Sequence, residues 1–390
     1  MLISRLSLTN WRNFRKLDLS LGPREFVIGA NASGKSNLLD VFRFLRTVAR
    51  SDGGGLQRAV NERGGMGRLR SLHARSNPEV GIVVEIAEAH GQPAAWRYEL
   101  AFKVEPSGAR RLLVSRERVE RLASDGSVAE VLLDRPTPQD TADAVLLTQT
   151  ALEQIGNNAA FRPVADTFSH VTYLHLVPQL LKFGDQISGR LLEHDPFGQG
   201  LLHRIAATPT KSRDARLRRI GRALEIAVPH FSELRFIKDE VTGAPHIEAR
   251  FAHWRVNGAW HREEHFSDGT LRLIGLLWAL QEGDGLLLLE EPEISLNDEI
   301  VARLPRMIDR VLRLRKLPSR QVLVSTHSQA LLAELGDPRT VIRLTPSPDG
   351  TTAGRATEEE TALLDAGMNA AEVLLPTTRP ANPEQLTMLD

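Results

Sequence analysis

The chain has 390 residues, 42% of them hydrophobic, with 49 Lys and Arg against 49 Asp and Glu and no cysteine. This composition can build one large core or two smaller ones, which excludes a disordered chain and a disulfide scaffold, and the balanced charge gives no whole-chain footprint for nucleic acid. The lack of cysteine also excludes thiolate zinc sites. The sequence has no leader-like segment, and no apolar run approaches the roughly 20 residues of a membrane span. These features together predict a cytoplasmic protein without a membrane partner.

The first part of the chain is predicted to be rich in strands. Apolar and polar residues alternate over 2–8 and 17–21, which indicates two strands joined by a turn at 10–13. A third strand, EFVIG, leads into the loop GANASGKS, and helical spacing of apolar residues follows over 37–50. Short strands separated by Gly, Pro and Asp turns then predict a meander over 80–134.

The second part mixes strands and helices. A strand in VTYLHLVPQ precedes a helical region at 185–230, and the strands ELRFIKDE, HIEARFAHWRV and AWHREEHF precede a helix in SDGTLRLIGLLWALQEG. The strand LLLLE, a helix at 297–315, the strand QVLVSTHS, a further helix and the strand RTVIRLTP come next. The predicted domains are an N-terminal lobe at 1–180, a helical insertion at 181–232, a C-terminal lobe at 233–345 and a polar tail at 346–390.

The loop GANASGKS matches the phosphate-binding pattern G-x-x-x-x-G-K-[ST] between a predicted strand and a predicted helix. In such a loop, backbone N–H groups surround phosphate oxygens, Lys35 meets the terminal phosphates and Ser36 ligates magnesium. The alternative is an ordinary glycine-rich turn. The predicted nucleotide-binding residues here are Gly29, Ala30, Asn31, Ala32, Ser33, Gly34, Lys35, Ser36 and Asn37.

Three glutamates crowd the end of the apolar strand in LLLLEEPEIS. A nucleotide site needs a second magnesium anchor and a group that orients the attacking water. We predict that Glu290 faces the metal through a bound water and that Glu291 polarises the water that attacks the γ-phosphate, while Pro292 ends the strand. Glu293 receives no role. The alternative is a solvated acidic turn.

Two further segments suggest contacts with phosphate. His327 ends the strand QVLVSTHS, where its imidazole could hydrogen-bond the γ-phosphate, although a lone histidine is more often a packing or surface residue. The segment FSDGTLR begins a helix, so its hydroxyl and free N–H groups would face an anion, with a plain N-cap as the alternative. The residues predicted in this segment are Ser267, Asp268, Gly269 and Thr270.

The order GANASGKS, VPQ, FSDGT, LLLLEEPE, STHS resembles the ABC-type ATPase heads of the SMC and RecF group over most of residues 1–345. The NWRNF opening and the EEPE and THS blocks are similar to compact bacterial ATPases of the OLD family, many of them linked to DNA repair or phage defence. The resemblance implies an α/β fold of the P-loop NTPase kind. It would be an ABC-type head with a mixed sheet core, an antiparallel β subdomain and a helical insertion.

The resemblance also implies roles for the individual segments. Residues 29–36 would be the Walker A loop, 286–290 the Walker B strand and 267–270 the signature, with Gln179 as the Q-loop residue at the end of a strand. The implied catalytic residues are Glu291, the switch histidine His327 and Lys35. The implied magnesium residues are Ser36, Glu290 and Gln179.

Several residues depart from the family pattern. Ala32 replaces a loop glycine, which the backbone tolerates if that position has negative φ. The signature carries an acid, Asp268. Ser295 and Asn297 stand where OLD-like relatives usually have histidines, so the assignment of this segment as the D-loop that contacts the second subunit is in question. We therefore expect no TOPRIM nuclease domain after His327 and, in the absence of long heptad runs, no SMC-type arms.

The resemblance implies ATP and Mg²⁺ as cofactors and a homodimer through ATP, since one subunit's signature closes over the other's nucleotide. Our leading hypothesis is an ATPase that regulates a nucleic-acid-directed process in DNA repair or anti-phage defence, with a separately encoded nuclease or effector. The alternative is an ATP-gated scaffold that holds a toxin or effector without DNA. A transporter ATPase subunit is disfavoured because its signature would be closer to L-S-G-G-Q.

A basic segment at 203–222 is the candidate DNA contact. The alternative is a solvated helix face. The basic residues in question are Arg204, Lys211, Arg213, Arg216, Arg218, Arg219 and Arg222.

Overall fold

The computed structural model describes residues 1–74, 76–183, 195–252, 260–314 and 320–378. Within these ranges the chain forms a mixed sheet, a large antiparallel sheet and a small three-stranded sheet, with helices packed between and around them. This arrangement confirms the predicted fold class. None of the helices in the described ranges combines the length and the apolar character that a membrane crossing requires.

The elements are numbered in chain order. The strands are β1 (Leu2–Trp11), β2 (Phe14–Ser20), β3 (Arg24–Gly29), β4 (Val80–Ala87), β5 (Ala94–Val104), β6 (Leu112–Leu122), β7 (Val128–Arg135), β8 (Thr172–Leu174), β9 (Phe231–Lys238), β10 (Pro245–Phe251), β11 (Trp260–Arg262), β12 (Gly285–Glu290), β13 (Arg320–Ser325), β14 (Val341–Thr345) and β15 (Thr352–Gly354). The α-helices are α1 (Lys35–Ala49), α2 (Leu56–Asn61), α3 (Met66–Leu69), α4 (Pro138–Ala142), α5 (Arg162–Ser169), α6 (Pro178–Lys182), α7 (Leu201–Ala207), α8 (Thr210–Ala227), α9 (Asp268–Gln281), α10 (Asp298–Val301), α11 (Leu304–Leu314), α12 (Gln329–Ala333), α13 (Glu358–Asp365) and α14 (Ala370–Leu374).

The mixed sheet has the order β15-β14-β3-β13-β12-β8. Its neighbours pair in parallel, except that β15 runs antiparallel to β14 at one edge. The three central strands, β3, β13 and β12, are apolar runs buried on both faces, which is the pattern expected of parallel strands covered on each side.

Alternating residues of these central strands separate two hydrophobic cores. Val27, Leu288 and Leu323 face a core that includes α1, α5 and the antiparallel sheet. Phe26 and Leu287 face the opposite core, which contains α8, α9, α11, α12 and α14. The mixed sheet is therefore the middle layer of the molecule, and its strand ends open between the two cores.

The antiparallel sheet, in the order β2-β1-β4-β5-β6-β7, contains the predicted meander over 80–134 as the strands β4 to β7. Its β1 strand is joined to the mixed sheet by the buried side chain of Gln321 at the start of β13. The Gln321 amide accepts from the Ile3 N–H at 3.1 Å and donates to the carbonyls of Ile3 and Gly22 at 2.8 and 2.7 Å. One side chain thus satisfies three backbone groups between the two sheets.

The strand predicted in VTYLHLVPQ is shorter than expected. It ends at Leu174, and the next backbone N–H groups, of His175 and Val177, donate to the carbonyls of Pro196 and Phe197 instead of continuing the ladder. Pro178 then begins α6, where its missing N–H costs nothing. The prediction that Gln179 lies at a strand end is therefore wrong, because this residue lies in the first turn of a short helix.

Some predicted elements are only partly described. The helical region predicted at 185–230 contains α7 and α8, and the helix predicted at 297–315 contains α10 and α11. Some residues of the predicted elements lie outside the described residues. They are 185–194 and 315 of the predicted helices, 253–256 and 259 of the predicted strands, and the tail from 379. The predicted domain boundaries stay a prediction.

Replacing Gln321 with leucine tests the link between the two sheets. Leucine has a similar size but leaves the Ile3 N–H and two carbonyls buried without partners, so we expect the free energy of unfolding to fall by about 3 kcal/mol. Urea denaturation followed by circular dichroism measures this loss. The matched control is Gln92→Leu in an exposed turn, and equal midpoints for the two variants would contradict the prediction.

Candidate nucleotide site

The candidate site lies where three adjacent parallel strands end. In the ladder, Ser325 of β13 pairs with Val27 of β3 on one side and with Glu290 of β12 on the other. The hydrogen bonds continue past the strands, from the Thr326 N–H to the Val27 carbonyl at 3.1 Å and from the Glu291 N–H to the Ser325 carbonyl at 3.0 Å. This register brings the predicted phosphate loop, acids and histidine to one edge of the sheet.

The phosphate loop connects β3 to α1. Gly34 caps the helix with φ of 102°, a left-handed conformation that favours glycine, and a Cβ at this position would lie 2.1 Å from Asn13 Nδ2. Asn13 itself donates to the Ser33 carbonyl at 2.8 Å and accepts from Asn37 Nδ2 at 2.8 Å. The turn between β1 and β2 therefore supports the loop where it enters α1.

Ala32 lies in this loop with φ of 62°. The expectation that alanine is tolerated here through negative φ is wrong. The loop folds into a left-handed conformation at this residue, and the Cβ of alanine makes that conformation unfavourable by roughly 1 kcal/mol relative to glycine. Surrounding contacts impose this conformation, among them the bond from the Ser33 N–H to the Ala30 carbonyl at 3.1 Å.

Lys35 is buried, with 7% of its surface exposed. Its ammonium donates to the carbonyls of Gly29 and Ala30 at 3.2 and 3.3 Å, so the side chain folds back over the loop. Burial lowers the pKa of Lys35, while the charges of Glu291, Glu290 and Glu293 oppose that shift. The amine therefore stands close to the three acids that follow β12.

Glu290 is held between two hydroxyl groups. Ser36 Oγ donates to Glu290 Oε1 and the Tyr173 hydroxyl donates to Oε2, each at 2.5 Å. Burial and this hydrogen bond to the Glu290 carboxylate raise the pKa of Tyr173. Ser36 and Glu290 are neighbouring hard oxygen donors beside a phosphate loop, a donor set that fits Mg²⁺ completed by water and phosphate oxygens.

Glu291 and His327 face each other across the ends of β12 and β13. His327 Nε2 lies 3.6 Å from Glu291 Oε1, and both side chains are about one-third exposed. Burial and the nearby Lys35 charge lower the pKa of His327, so its ring is neutral at pH 7 despite the opposing charge of Glu291. A neutral imidazole next to a carboxylate can accept or donate one hydrogen bond toward a phosphate or a water.

Glu293, to which the sequence assigned no role, turns back into the same site. Its Oε1 accepts from the Thr326 hydroxyl at 2.6 Å and from the His327 N–H at 3.1 Å. Burial is the main cause of the raised pKa of Glu293, and these hydrogen bonds oppose the shift. All three glutamates thus contribute to the strand-end cluster.

The signature segment begins α9. Ser267 is the N-cap, and its Oγ accepts from the Thr270 N–H at 3.1 Å. A Cβ on Gly269 would lie 2.5 Å from the Ser295 carbonyl, so the segment packs closely against the loop that follows the acids. Within the described residues, no hydrogen bond or ion pair joins residues 267–270 to residues 29–37.

Gln179 binds the signature segment. Its amide donates to Asp268 Oδ2 at 2.6 Å, and Lys182 donates to Oδ1 of the same carboxylate at 2.7 Å. The acid in the signature therefore has in-chain partners on α6. The role of Gln179 at magnesium stays a prediction.

Several functional candidates carried no clear sequence signal. Asn13 lies in the NWRNF block, whose resemblance marked the block but not this side chain. Tyr173 is 117 residues from Glu290 in sequence, and only the pairing of β8 with β12 brings them together. Arg272 of α9 is 7% exposed, and the charges of Asp268, Glu293 and Glu291 act on it while burial lowers its pKa.

The basic residues on α8 and near it are partly occupied within the chain. The Arg213 guanidinium lies 4.2 Å from the ring centre of Phe236, and that of Arg216 lies 5.2 Å from Trp278. Arg219 donates to Gln281 at 3.1 Å, and Arg204 pairs with Asp195 and Glu282. The residues that remain exposed without a hydrogen bond or ion pair to the described part of the chain are Lys211, Arg218 and Arg222.

Residues 26–333 match the family described as "AAA domain, putative AbiEii toxin, Type IV TA system". The chain belongs to this AAA domain family. The match includes the whole phosphate loop, the signature segment, the acids at the end of β12 and His327. Together with the relatives and the fold described next, it confirms the predicted resemblance to ABC-type ATPases of the SMC and RecF group.

The chain is also similar to the DNA replication and repair protein RecF of two bacteria. It is 40% identical to RecF of Brucella abortus over 86 residues, which are 22% of this chain and 19% of that protein. It is 37% identical to RecF of Mesorhizobium japonicum over 99 residues, 23% of this chain and 24% of that protein. The similarity thus spans a quarter or less of these relatives.

The fold is that of an SMC head. A crystal structure of the SMC head bound to the C-winged helix domain of ScpA superposes with a TM-score of 0.52 at 17% sequence identity. The superposition covers 93% of this chain and all of that one. At this identity the likeness establishes the fold alone.

Replacing Ala32 with glycine tests the left-handed loop. Glycine removes the Cβ that disfavours positive φ, so we expect the free energy of unfolding to rise by about 0.5 kcal/mol after the entropy cost of glycine is included. The matched control is Ala215→Gly inside α8, where the same change should lower stability by about 1 kcal/mol. Thermal or urea unfolding measures the change in the free energy of unfolding for both variants. A lower free energy of unfolding in both would refute a left-handed Ala32.

Proposed function

We propose that the protein binds Mg²⁺-ATP at the strand-end site and hydrolyses it. The observation that carries this proposal is the juxtaposition of Ser36 with Glu290 and of Glu291 with His327 around one phosphate loop. Each pair joins residues that are far apart in the sequence, and each has a defined task in phosphoryl transfer.

The side chains divide the work. The loop N–H groups and Lys35 hold the β- and γ-phosphates, and Ser36 with Glu290 holds Mg²⁺, which neutralises phosphate charge when bound. Glu291 orients the attacking water and accepts its proton, because it is exposed toward the site rather than bonded to the loop. His327, neutral at pH 7, donates a hydrogen bond to the γ-phosphate.

The same proposal includes an ATP-dependent homodimer. The signature residues Ser267 to Thr270 lie at the start of α9 and make no hydrogen bond to the phosphate loop of their own chain within the described residues. A helix N-terminus of this kind can meet the γ-phosphate held by a second copy. ATP would then join two chains, and hydrolysis would release them.

The test replaces Glu291 with glutamine. This change removes the proton acceptor but preserves the size of the side chain, so we expect kcat to fall by about 100-fold or more while ATP binding persists. Because ATP is then not consumed, a dimer should accumulate in Mg²⁺-ATP. Phosphate release and mass photometry measure the two effects.

Two controls bracket this result. Lys35→Ala should lose both ATP binding and the ATP-dependent dimer, whereas Glu299→Gln, on an exposed carboxylate of α10, should behave like the parent. Hydrolysis at the parent rate in Glu291→Gln would overturn the assignment of the proton acceptor. A monomer in ATP for that variant would overturn the dimer.

We further propose that hydrolysis serves a nucleic-acid-directed process, with a separately encoded nuclease or effector. Support comes from the similarity to proteins named for DNA replication and repair. Within α8, Lys211, Arg218 and Arg222 are exposed and have no hydrogen bond or ion pair to the described residues, whereas the other arginines have partners there.

The double variant Arg218→Ala/Arg222→Ala tests this surface. If both residues contact DNA phosphates, duplex binding should weaken and the slope of log K against log salt should become shallower by about 2. Fluorescence anisotropy across a salt series measures both. The control is Arg306→Ala, an exposed arginine that pairs with Glu334, and an unchanged slope in the double variant would exclude this surface.

A second candidate is an ATP-gated scaffold that holds a toxin or effector without DNA. The family description, which names a toxin of a type IV toxin–antitoxin system, favours it. Under this alternative, duplex DNA neither binds nor changes the ATPase rate, and an effector protein binds in an ATP-dependent way. The ATPase rate with and without DNA separates the two candidates.

A further inference from the structure

Glu293 holds the segment that carries His327. A single oxygen of its carboxylate, Oε1, accepts from both the Thr326 hydroxyl and the His327 N–H. The Thr326 hydroxyl in turn accepts from the Ser328 N–H at 3.0 Å, and the Thr326 N–H donates to the Val27 carbonyl. The three residues after β13 are therefore fixed from two sides, by Glu293 and by the strand of the phosphate loop.

This arrangement sets the distance between His327 and Glu291. Glu291 has φ of 44°, which turns the chain sharply after β12, and the Ile294 N–H closes the turn on the Glu291 carbonyl at 3.3 Å. Glu293 then points back across β13 rather than into solvent. The loop that carries Glu291 and the loop that carries His327 are thus joined by a carboxylate that belongs to the first and binds the second.

The charge of Glu293 also acts on a buried cation, Arg272 of α9. Glu293 Oε2 is buried and has no hydrogen-bond partner among the described residues, and neither has Nε of Arg272 on the signature helix. The charge of Glu293 is one of three that stabilise the charged form of Arg272. Glu293 is therefore bonded to the His327 segment, and its charge also stabilises the charged form of Arg272 on the signature helix.

We propose that Glu293 is a positioning residue for hydrolysis, which fixes the Thr326–Ser328 segment so that His327 faces Glu291 and the γ-phosphate. This inference rests on the ATP hydrolysis proposed above. Glu293 transfers no proton itself, because its Oε1 is occupied by two donors and its Oε2 is buried. Its role is to preserve the geometry in which Glu291 and His327 act together.

The kinetic test compares three variants with the parent. Glu293→Ala removes the acceptor, and we expect kcat to fall about tenfold with KM for ATP changed less than about twofold, since the nucleotide contacts are intact. Glu293→Gln keeps an acceptor oxygen and should retain at least half of the parent kcat. Thr326→Val removes one donor and should resemble Glu293→Ala, with little further loss in the double variant.

The outcomes separate positioning from other roles. A Glu293→Gln variant as inactive as Glu291→Gln would show that Glu293 acts through its charge or as a proton acceptor, which overturns the proposal. Parent kcat in Glu293→Ala also overturns it. The matched control is Glu299→Ala, an exposed carboxylate nearby, and Glu293→Gln and Thr326→Val keep the comparison open if Glu293→Ala fails to fold.

A second measurement does not depend on turnover. Hydrogen exchange of the His327 amide, followed by mass spectrometry, should be slow in the parent and in Glu293→Gln and at least tenfold faster in Glu293→Ala, because the acceptor of that N–H is lost. Equal exchange in all three variants overturns the proposal. A parent that hydrolyses no ATP would instead refute the proposed function. The exchange rates would still show whether Glu293 fixes the His327 segment.

Discussion

The site depends on the parallel register in which Ser325 lies between Val27 and Glu290. Each strand contributes a different chemical group just beyond its last paired residue: a phosphate loop from β3, a histidine from β13 and acids from β12. A shift of one residue in either ladder would point these groups to the other face. The burial of alternate leucines and valines in two separate cores prevents such a shift, so hydrophobic packing holds the geometry of the candidate site.

Side-chain hydrogen bonds position the groups at the strand ends, which hydrophobic packing alone does not fix. The two cores fix the strands, but the loops beyond them are positioned by side chains that satisfy backbone groups: Asn13 at the phosphate loop, Tyr173 at Glu290 and Glu293 at the His327 segment. Each of these residues comes from an element other than the loop it holds. The loops of the candidate site are therefore held by hydrogen bonds from other elements, the kind of pre-organisation that the proposed catalysis requires.

Much of this site could be predicted because its parts follow strands. Glu290 and His327 closely follow short apolar runs, Lys35 lies in the loop that follows a third, and the ends of parallel strands meet at one edge. The supporting side chains could not be predicted, since Asn13 and Tyr173 reach the site through pairings between distant segments. The sign of φ at Ala32 depends on how the loop closes, and the position of Gln179 depends on Pro178, which ends a strand pattern that otherwise continues.

The turn between β1 and β2 has a mechanical consequence. Asn13 is bonded to Ser33 and Asn37, where the phosphate loop enters α1, and also to Thr351, just before β15. One amide thus ties together the outermost strand pair of the antiparallel sheet, the loop and the far edge of the mixed sheet. A protein that binds to β1 and β2 would therefore affect the phosphate loop through Asn13. A nucleotide that stiffens the loop would likewise change the surface of β1 and β2 to which that protein binds.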